Sequence, residues 1–144
     1  MYHLKTQITI NAPAEKVWLR LMDFPAYVQW NPFIRSIEGK ASVGQSLKVF
    51  LQPADGRGMR FSPTVLVANP NREFRWKGKL FVSGIFDGEH YFLLEPQPQG
   101  GVIFQQGELF SGLLVPLLKG SLENGTRKGF AAMNEALKRE AEKP

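Results

Sequence analysis

Two hydrophobic periods divide the chain. Up to about residue 110 apolar and polar residues mostly alternate, and beyond it apolar residues recur every three or four. Residues 2–10 begin as a strand, with Leu4, Thr6, Ile8 and Ile10 on one face and His3, Lys5, Gln7 and Thr9 on the other. Asn11-Ala-Pro-Ala-Glu15 then reads as a helix start. Asn11 or Ala12 caps it, Pro13 sits in the first turn where its missing N–H costs nothing, and Glu15 faces the positive helix end. Val17, Trp18 and Leu21 supply the apolar face. The helix stops near Asp23, because Phe24 precedes Pro25 and pre-proline residues avoid the α region. A second short helical turn over 25–30 ends before Asn31-Pro32 for the same reason.

Six short alternating runs follow, at 33–38, 46–52, 59–68, 72–81, 85–94 and 102–110, separated by segments rich in Gly, Pro, Asn and Asp. Their connections, including 53–58, 69–71 and 82–84, are too short for parallel crossovers. With the first strand they predict an antiparallel meander of seven. In the last third Leu114, Leu118, Leu122, Thr126, Phe130, Met133 and Leu137 form one stripe, with Lys119, Glu123, Arg127, Lys128, Glu135, Lys138 and Arg139 off it. That period marks a long amphipathic helix. Asn124-Gly125 predicts a kink within it, since an interior glycine costs about 1 kcal/mol relative to alanine.

Composition narrows the picture. A chain of 144 residues fits one domain, 1–144, around a single core. With no cysteine there are no disulfides, thiolate nucleophiles or sulfur-ligated zinc, so stability rests on buried apolar surface. Its two histidines, His3 and His90, fall on opposite strand faces, too few and too far apart for a transition-metal site. Gly56-Arg-Gly58 lies between strands without the helix N-terminus of a phosphate loop, and nothing marks a nucleophile elbow. No metal or organic cofactor is expected. No run approaches the roughly 18 apolar residues of a membrane span, and the N-terminus lacks a secretory pattern, so a cytoplasmic protein is expected.

The net charge of +5 is concentrated in one segment: Arg57, Arg60, Arg72, Arg75, Lys77 and Lys79 stand against Glu73 alone. On a strand, Arg75, Lys77 and Lys79 share the face opposite Phe74, Trp76 and Gly78. They read as a solvated outer face that protects the sheet, so no nucleic-acid partner is expected. Arg60, opposite in phase to Met59 and Phe61, is placed on the same solvated side.

The order of elements resembles the START-like, birch-pollen-allergen-like superfamily, also called SRPBCC, to which polyketide cyclase/dehydrase-like proteins belong. The resemblance covers nearly the whole chain. It is carried by Ile10-Asn-Ala-Pro-Ala-Glu-Lys-Val-Trp18, Trp30-Asn-Pro-Phe33, Phe61-Ser-Pro-Thr-Val65, Phe74-Arg-Trp-Lys-Gly78, Gly88-Glu-His-Tyr-Phe92 and Glu108-Leu-Phe-Ser-Gly112. It implies an α+β helix-grip fold: a seven-stranded curved antiparallel sheet wrapped around a long C-terminal helix, with two short helices between strands 1 and 2. Such a scaffold carries a cavity between sheet and helix. Superfamily members include lipid and hormone carriers, polyketide cyclases and chaperone activators, so the fold alone does not select a function.

Strand phase then nominates the cavity lining. Trp30 is assigned from the second helical turn, and Phe61, Phe74, Trp76, Phe86, Gly88, His90, Phe92, Phe104, Gln106, Glu108 and Phe110 from the sheet. Leu114, Leu118, Leu122, Phe130 and Met133 are assigned from the helix. Asp87, Glu89 and Tyr91 are placed outside, and Val65 and Val67 inside unless Pro63 resets the phase with a bulge. Glycines at 78 and 88, facing Gly125 and Gly129, predict an apolar and aromatic void on the ligand-pocket scale of roughly 300–1,000 Å³. His90 and Glu108 are the candidate proton-transfer residues. Either they satisfy each other, or His90 anchors a ligand oxygen, or they act as acid and base.

Three functions are compatible with these residues. The first is binding of a small hydrophobic or lipid-like ligand in the cavity. The second is a polyketide cyclase or dehydratase-like activity in the same cavity without metal or organic cofactor. The third is an interaction module resembling the chaperone activators, binding a protein partner through the basic face.

Overall fold

The computed structural model describes residues 1–53, 56–80 and 84–144. The turn residues Ala54 and Asp55, the expected strand end at Phe81 and the turn at Val82-Ser83 lie outside the described residues. In chain order the elements are β1 (Tyr2–Ile10), α1 (Ala14–Met22), a 3-10 turn (Phe24–Ala26), α2 (Tyr27–Trp30), β2 (Ile34–Glu38), β3 (Lys48–Leu51), β4 (Met59–Phe61) and β5 (Thr64–Asn69). There follow β6 (Glu73–Leu80), β7 (Phe86–Pro96), β8 (Val102–Ser111), α3 (Val115–Ser121), a π-helical turn (Leu122–Thr126) and α4 (Arg127–Ala141).

The α+β class and the long C-terminal helical segment agree with the pattern, but the seven-strand expectation needs correction. The described strands form a five-stranded antiparallel sheet, β1-β8-β7-β6-β5, and a three-stranded one, β2-β3-β4. The expected strand over 59–68 is broken at Ser62-Pro63. A proline cannot donate to a ladder, so the chain leaves one sheet there and enters the other. β4 pairs with β3, and β5 with β6. The outer edge of β5 is capped by the preceding loop: Val65 N–H donates to the Gln45 carbonyl, and Gly44 N–H to that of Val65, both at 2.9 Å. This covers an edge that would otherwise offer unpaired backbone groups. A register shift between Val65 and Val67 buries the first and leaves the second half-buried.

Even-numbered residues of β1, β6, β7 and β8 face the helix, as alternation requires, while the bulge in β5 puts Val65 opposite Trp76 and Ala68 opposite Phe74. Register sets them in rows: Phe74–Phe92–Gln106–Thr6, then Trp76–His90–Glu108–Leu4, then Gly78–Gly88–Phe110–Tyr2. The first row and its surroundings are packed solid. Phe74, Phe92, Phe104 and Phe130 are completely buried, and Trp18 and Phe24 from the short helices pack edge-on or tilted against Phe74. Each such ring contributes about 2–3 kcal/mol by burial. The helix lies across these rows through Phe130, Met133, Leu137 and Ala141. Its end is fixed to the start of the chain, where Glu142 accepts hydrogen bonds from the Asn11 amide (2.7 Å) and Lys138 Nζ (2.5 Å). Where Asn124-Gly125 predicts a kink, the helix widens into the π turn.

Tyr91 and Asp87 lie on the outer face, yet both are buried. The Arg75 guanidinium lies 4.9 Å from the Tyr91 ring centre, and His3 Nε2 lies 2.7 Å from its hydroxyl. Burial pushes the Tyr91 pKa up, and the nearby Arg75 charge opposes the shift only in part. Burial works against the Arg75 charge, but hydrogen bonds to Glu73 and Glu89, each 2.8 Å, outweigh it and hold its pKa above the usual value. Part of the basic outer face is thereby neutralised. Among the described residues, no helix is long and apolar enough to cross a membrane.

Candidate functional site

The hollow lies at the glycine row. A pocket of about 90 Å³ opens where the ends of β6, β7 and β8 meet β3, β4 and the π turn. Of the residues assigned to a cavity from sequence, Phe61, Phe86, Gly88, Glu108, Phe110 and Leu122 line it. The lining also takes Phe33, Leu51, Pro53, Met59, Gly78, Lys79 and Thr126. Thr126 belongs to the predicted helical stripe. Leu51 ends β3 within the expected strand 46–52, and Pro53 opens the connection after it, to which alternation assigns no inward face.

Phe74, Trp76, Phe92, Phe104, Phe130 and Met133 lie outside the lining and fill the core instead, each at most 1% exposed. Leu114 and Leu118 are half-buried on the last helical segments and also outside it. Trp30 packs edge-on against Tyr27, with ring centres 5.1 Å apart. His90 and Gln106 sit behind the lining, 1% and 0% exposed.

The pocket is smaller than the glycines suggest, because facing side chains occupy the volume they release. A Cβ on Gly78 would lie 3.0 Å from Phe61 Cδ2, one on Gly88 2.1 Å from Glu108 Oε2, and one on Gly129 2.4 Å from Phe33 Cδ1. Only Gly125 of the four faces open space within 4 Å. The expected 300–1,000 Å³ void is thus corrected to a small pocket partly open to solvent.

Its polar side chains are Glu108, Lys79 and Thr126, and Glu108 is the one joined to the buried network behind the lining. Glu108 stands directly across from His90 in the β7–β8 register, with Oε1 3.0 Å from His90 Nδ1. The side chains are 15% and 2% exposed, so Glu108 reaches the pocket and His90 does not. The imidazole is stacked on Trp76 with centroids 5.0 Å apart, and Phe92 and Phe130 close its other sides at 4.8 and 5.0 Å. Its Nε2 meets Gln106 Oε1 at 3.0 Å. Gln106 Nε2 donates to Asn134 Oδ1 at 2.8 Å, Asn134 Nδ2 to Thr6 Oγ1 at 2.9 Å, and Thr6 Oγ1 to the Gln106 carbonyl at 2.8 Å. Among the described residues only Oε1 of Glu108 is hydrogen-bonded, and Oε2 is turned to the pocket, where solvent reaches it.

Thr6 and Asn134 have no role in the sequence reading, yet both carry a visible signal. Thr6 shares the inward face of β1 with Leu4 and Ile8. Asn134 follows Phe130 by one helical turn beside Met133 and Leu137, a polar residue where the apolar stripe demands a partner. The joint arrangement can hold an apolar group, accept a hydrogen bond at Glu108, and pass a proton between Glu108 and His90.

Sheet, C-terminal helix and hollow end define a helix-grip protein with a pocket at the open end of the grip. The chain belongs to the polyketide cyclase/dehydrase and lipid transport family, whose model matches residues 1–142. No curated protein is similar enough in sequence to match it. Among solved structures, the Zhui aromatase/cyclase of a Streptomyces species superposes with a TM-score of 0.78 at 18% identity, over 98% of this chain and 93% of its own. The di-domain ARO/CYC protein BexL gives 0.80 at 15% identity, over 99% of this chain and 50% of its own. A Thermus thermophilus protein gives 0.75 at 16% identity, over 97% of both chains. At these identities the likeness establishes a shared fold.

Proposed function

We propose that this protein binds a small, largely apolar or lipid-like ligand in the pocket at the glycine row, with Glu108 as its polar anchor. The observation that carries the reading is Oε2 of Glu108, without a protein partner among the described residues, beside Phe33, Phe61, Phe86, Phe110 and Leu122 in a lining whose other polar side chains are Lys79 and Thr126. A carboxylate in such a place is costly unless water or a ligand meets it. The family's description, which names lipid transport, supports the same reading. The pocket volume of about 90 Å³ accommodates the end of a ligand, and the pocket's partial openness leaves room for the remainder.

Titration with the neutral fluorescent probe N-phenyl-1-naphthylamine tests this. Saturable one-to-one binding is expected, lost in Thr126→Trp, which fills the pocket from the π turn. A linear, unsaturable signal in the wild-type protein overturns the reading.

One observation favours a second reading, a cyclase or dehydratase-like enzyme. Glu108 touches both the pocket and His90, so it can take a proton from a bound substrate while His90 shares the charge. Turnover of a short poly-β-ketone analogue, abolished by Glu108→Gln, would support it. No turnover by wild-type protein that binds the same analogue would remove it.

A further inference from the structure

The hydrogen bonds behind Glu108 have a direction, and it can be read from one end. The Gln106 carbonyl only accepts, so the single Thr6 hydroxyl proton points to it across 2.8 Å and leaves Oγ1 to accept. Asn134 must then turn its amide nitrogen to Thr6, at 2.9 Å, and its Oδ1 to Gln106, at 2.8 Å. Gln106 donates to Asn134 and toward the Phe130 carbonyl at 3.4 Å, an atom that also only accepts, so its Oε1 faces His90. His90 Nε2, 3.0 Å from that oxygen, therefore carries a proton in every charge state of the ring. The remaining ring nitrogen, Nδ1, is left to share one proton with Glu108 Oε1. Whether that proton rests on nitrogen or on oxygen, Glu108 Oε2 is an acceptor.

We infer that Thr6, Asn134 and Gln106 are positioning residues that fix His90 as the Nε2-protonated ring, behind a Glu108 whose Oε2 is left to accept. The pocket therefore selects an apolar ligand ending in a hydroxyl over one of the same shape ending in an ether. This rests on the ligand-binding reading above and names the class of ligand. The gate is chemical: an ether oxygen brings lone pairs against Oε2, whereas a hydroxyl brings a proton. The Gly88 backbone beneath Oε2 brings no side chain that could turn the carboxylate aside.

Two measurements on the intact wild-type protein test the inference. Long-range proton–nitrogen NMR of His90 is expected to show Nε2 as a protonated, pyrrole-like nitrogen. A bare, pyridine-like Nε2 overturns the inference whatever the protein binds. Calorimetric titration with 4-ethylphenol and 4-ethylanisole is expected to favour the phenol by about tenfold, the worth of one hydrogen bond to a charged acceptor. Equal affinities, or preference for the ether, overturn the hydroxyl selection. Absence of binding by either probe and by N-phenyl-1-naphthylamine instead sinks the ligand-binding reading, and the NMR result still decides the ring state.

Thr6→Val, which keeps the shape and removes the anchor of the direction, is expected to mix the two ring forms while leaving the phenol preference in place, since Oε2 accepts beside either form. Unchanged ring spectra in a folded variant would overturn the positioning role of Thr6.

Discussion

Glu108 lies so closely over Gly88 that a Cβ on the glycine would come within 2.1 Å of Oε2. The glycine is there to seat a carboxylate rather than to leave a void. Gly88→Ala is accordingly expected to swing Glu108 off His90 and to cost about 1–3 kcal/mol in urea denaturation, the penalty of a buried polar group left without its partner. A bulky residue at 88 would act through this pair as well as through volume. Thr126 is the cleaner place to fill the pocket.

The His90–Glu108 pair should show strong energetic coupling. His90→Phe leaves the carboxylate without its donor, and Glu108→Leu leaves Nδ1 facing a methyl group. The double variant removes both groups together. A double-mutant cycle by urea denaturation is expected to give a coupling of about 1–3 kcal/mol, with the double variant more stable than the sum of the single losses implies. Additive losses would mean that the two side chains do not depend on each other.

Arg75→Ala tests whether the basic face stabilises the sheet independently of the pocket. Arg75 is held by Glu73 and Glu89 and covers the Tyr91 ring, with its side chain 20% exposed. Its loss is expected to cost about 1 kcal/mol, the upper end for a partly exposed ion pair, and to leave probe affinity unchanged. A change in affinity would connect the outer face to the pocket.

The junction between the helix end and the start of the chain should respond to acid. Hydrogen bonds from Lys138 first, and from the Asn11 amide, hold the Glu142 carboxyl below its usual range. A group lowered on folding adds stability that is fully present above the unfolded carboxylate range and is lost as pH falls through the lowered folded value. The protection factor of the Asn11 amide in hydrogen exchange is therefore expected to be level at neutral pH and to drop in acid. In Glu142→Gln it should be lower at neutral pH and lack that acid step.

Much of this architecture is legible in the alternation of polar and apolar residues. The inward phase of Phe74, Trp76, His90, Phe92, Gln106 and Glu108 follows from a period of two, and the C-terminal stripe from a period near 3.6. Pro63 carries its own warning, but which sheet receives each half of the broken strand depends on pairing partners distant in sequence. The cavity was legible only in place. Periodicity locates Gly78, Gly88 and Gly129, whereas the side chains that fill them, Phe61, Glu108 and Phe33, come from other elements and are set by tertiary packing. Tyr91 and Asp87 are buried on the outer face because neighbours cover them, a fact that alternation alone does not encode.

The seam at Pro63 places β4 and β6 on either side of the pocket mouth but in different ladders. Widening that mouth by lengthening or shortening the segment from β3 to β4 leaves all the backbone pairing of the five-stranded sheet intact. The seam thus leaves Glu108 in one ladder while Leu51, Met59 and Phe61 reach the same pocket from the other. A change of loop length on one side of the seam is thereby mechanically uncoupled from the ladder that positions Glu108.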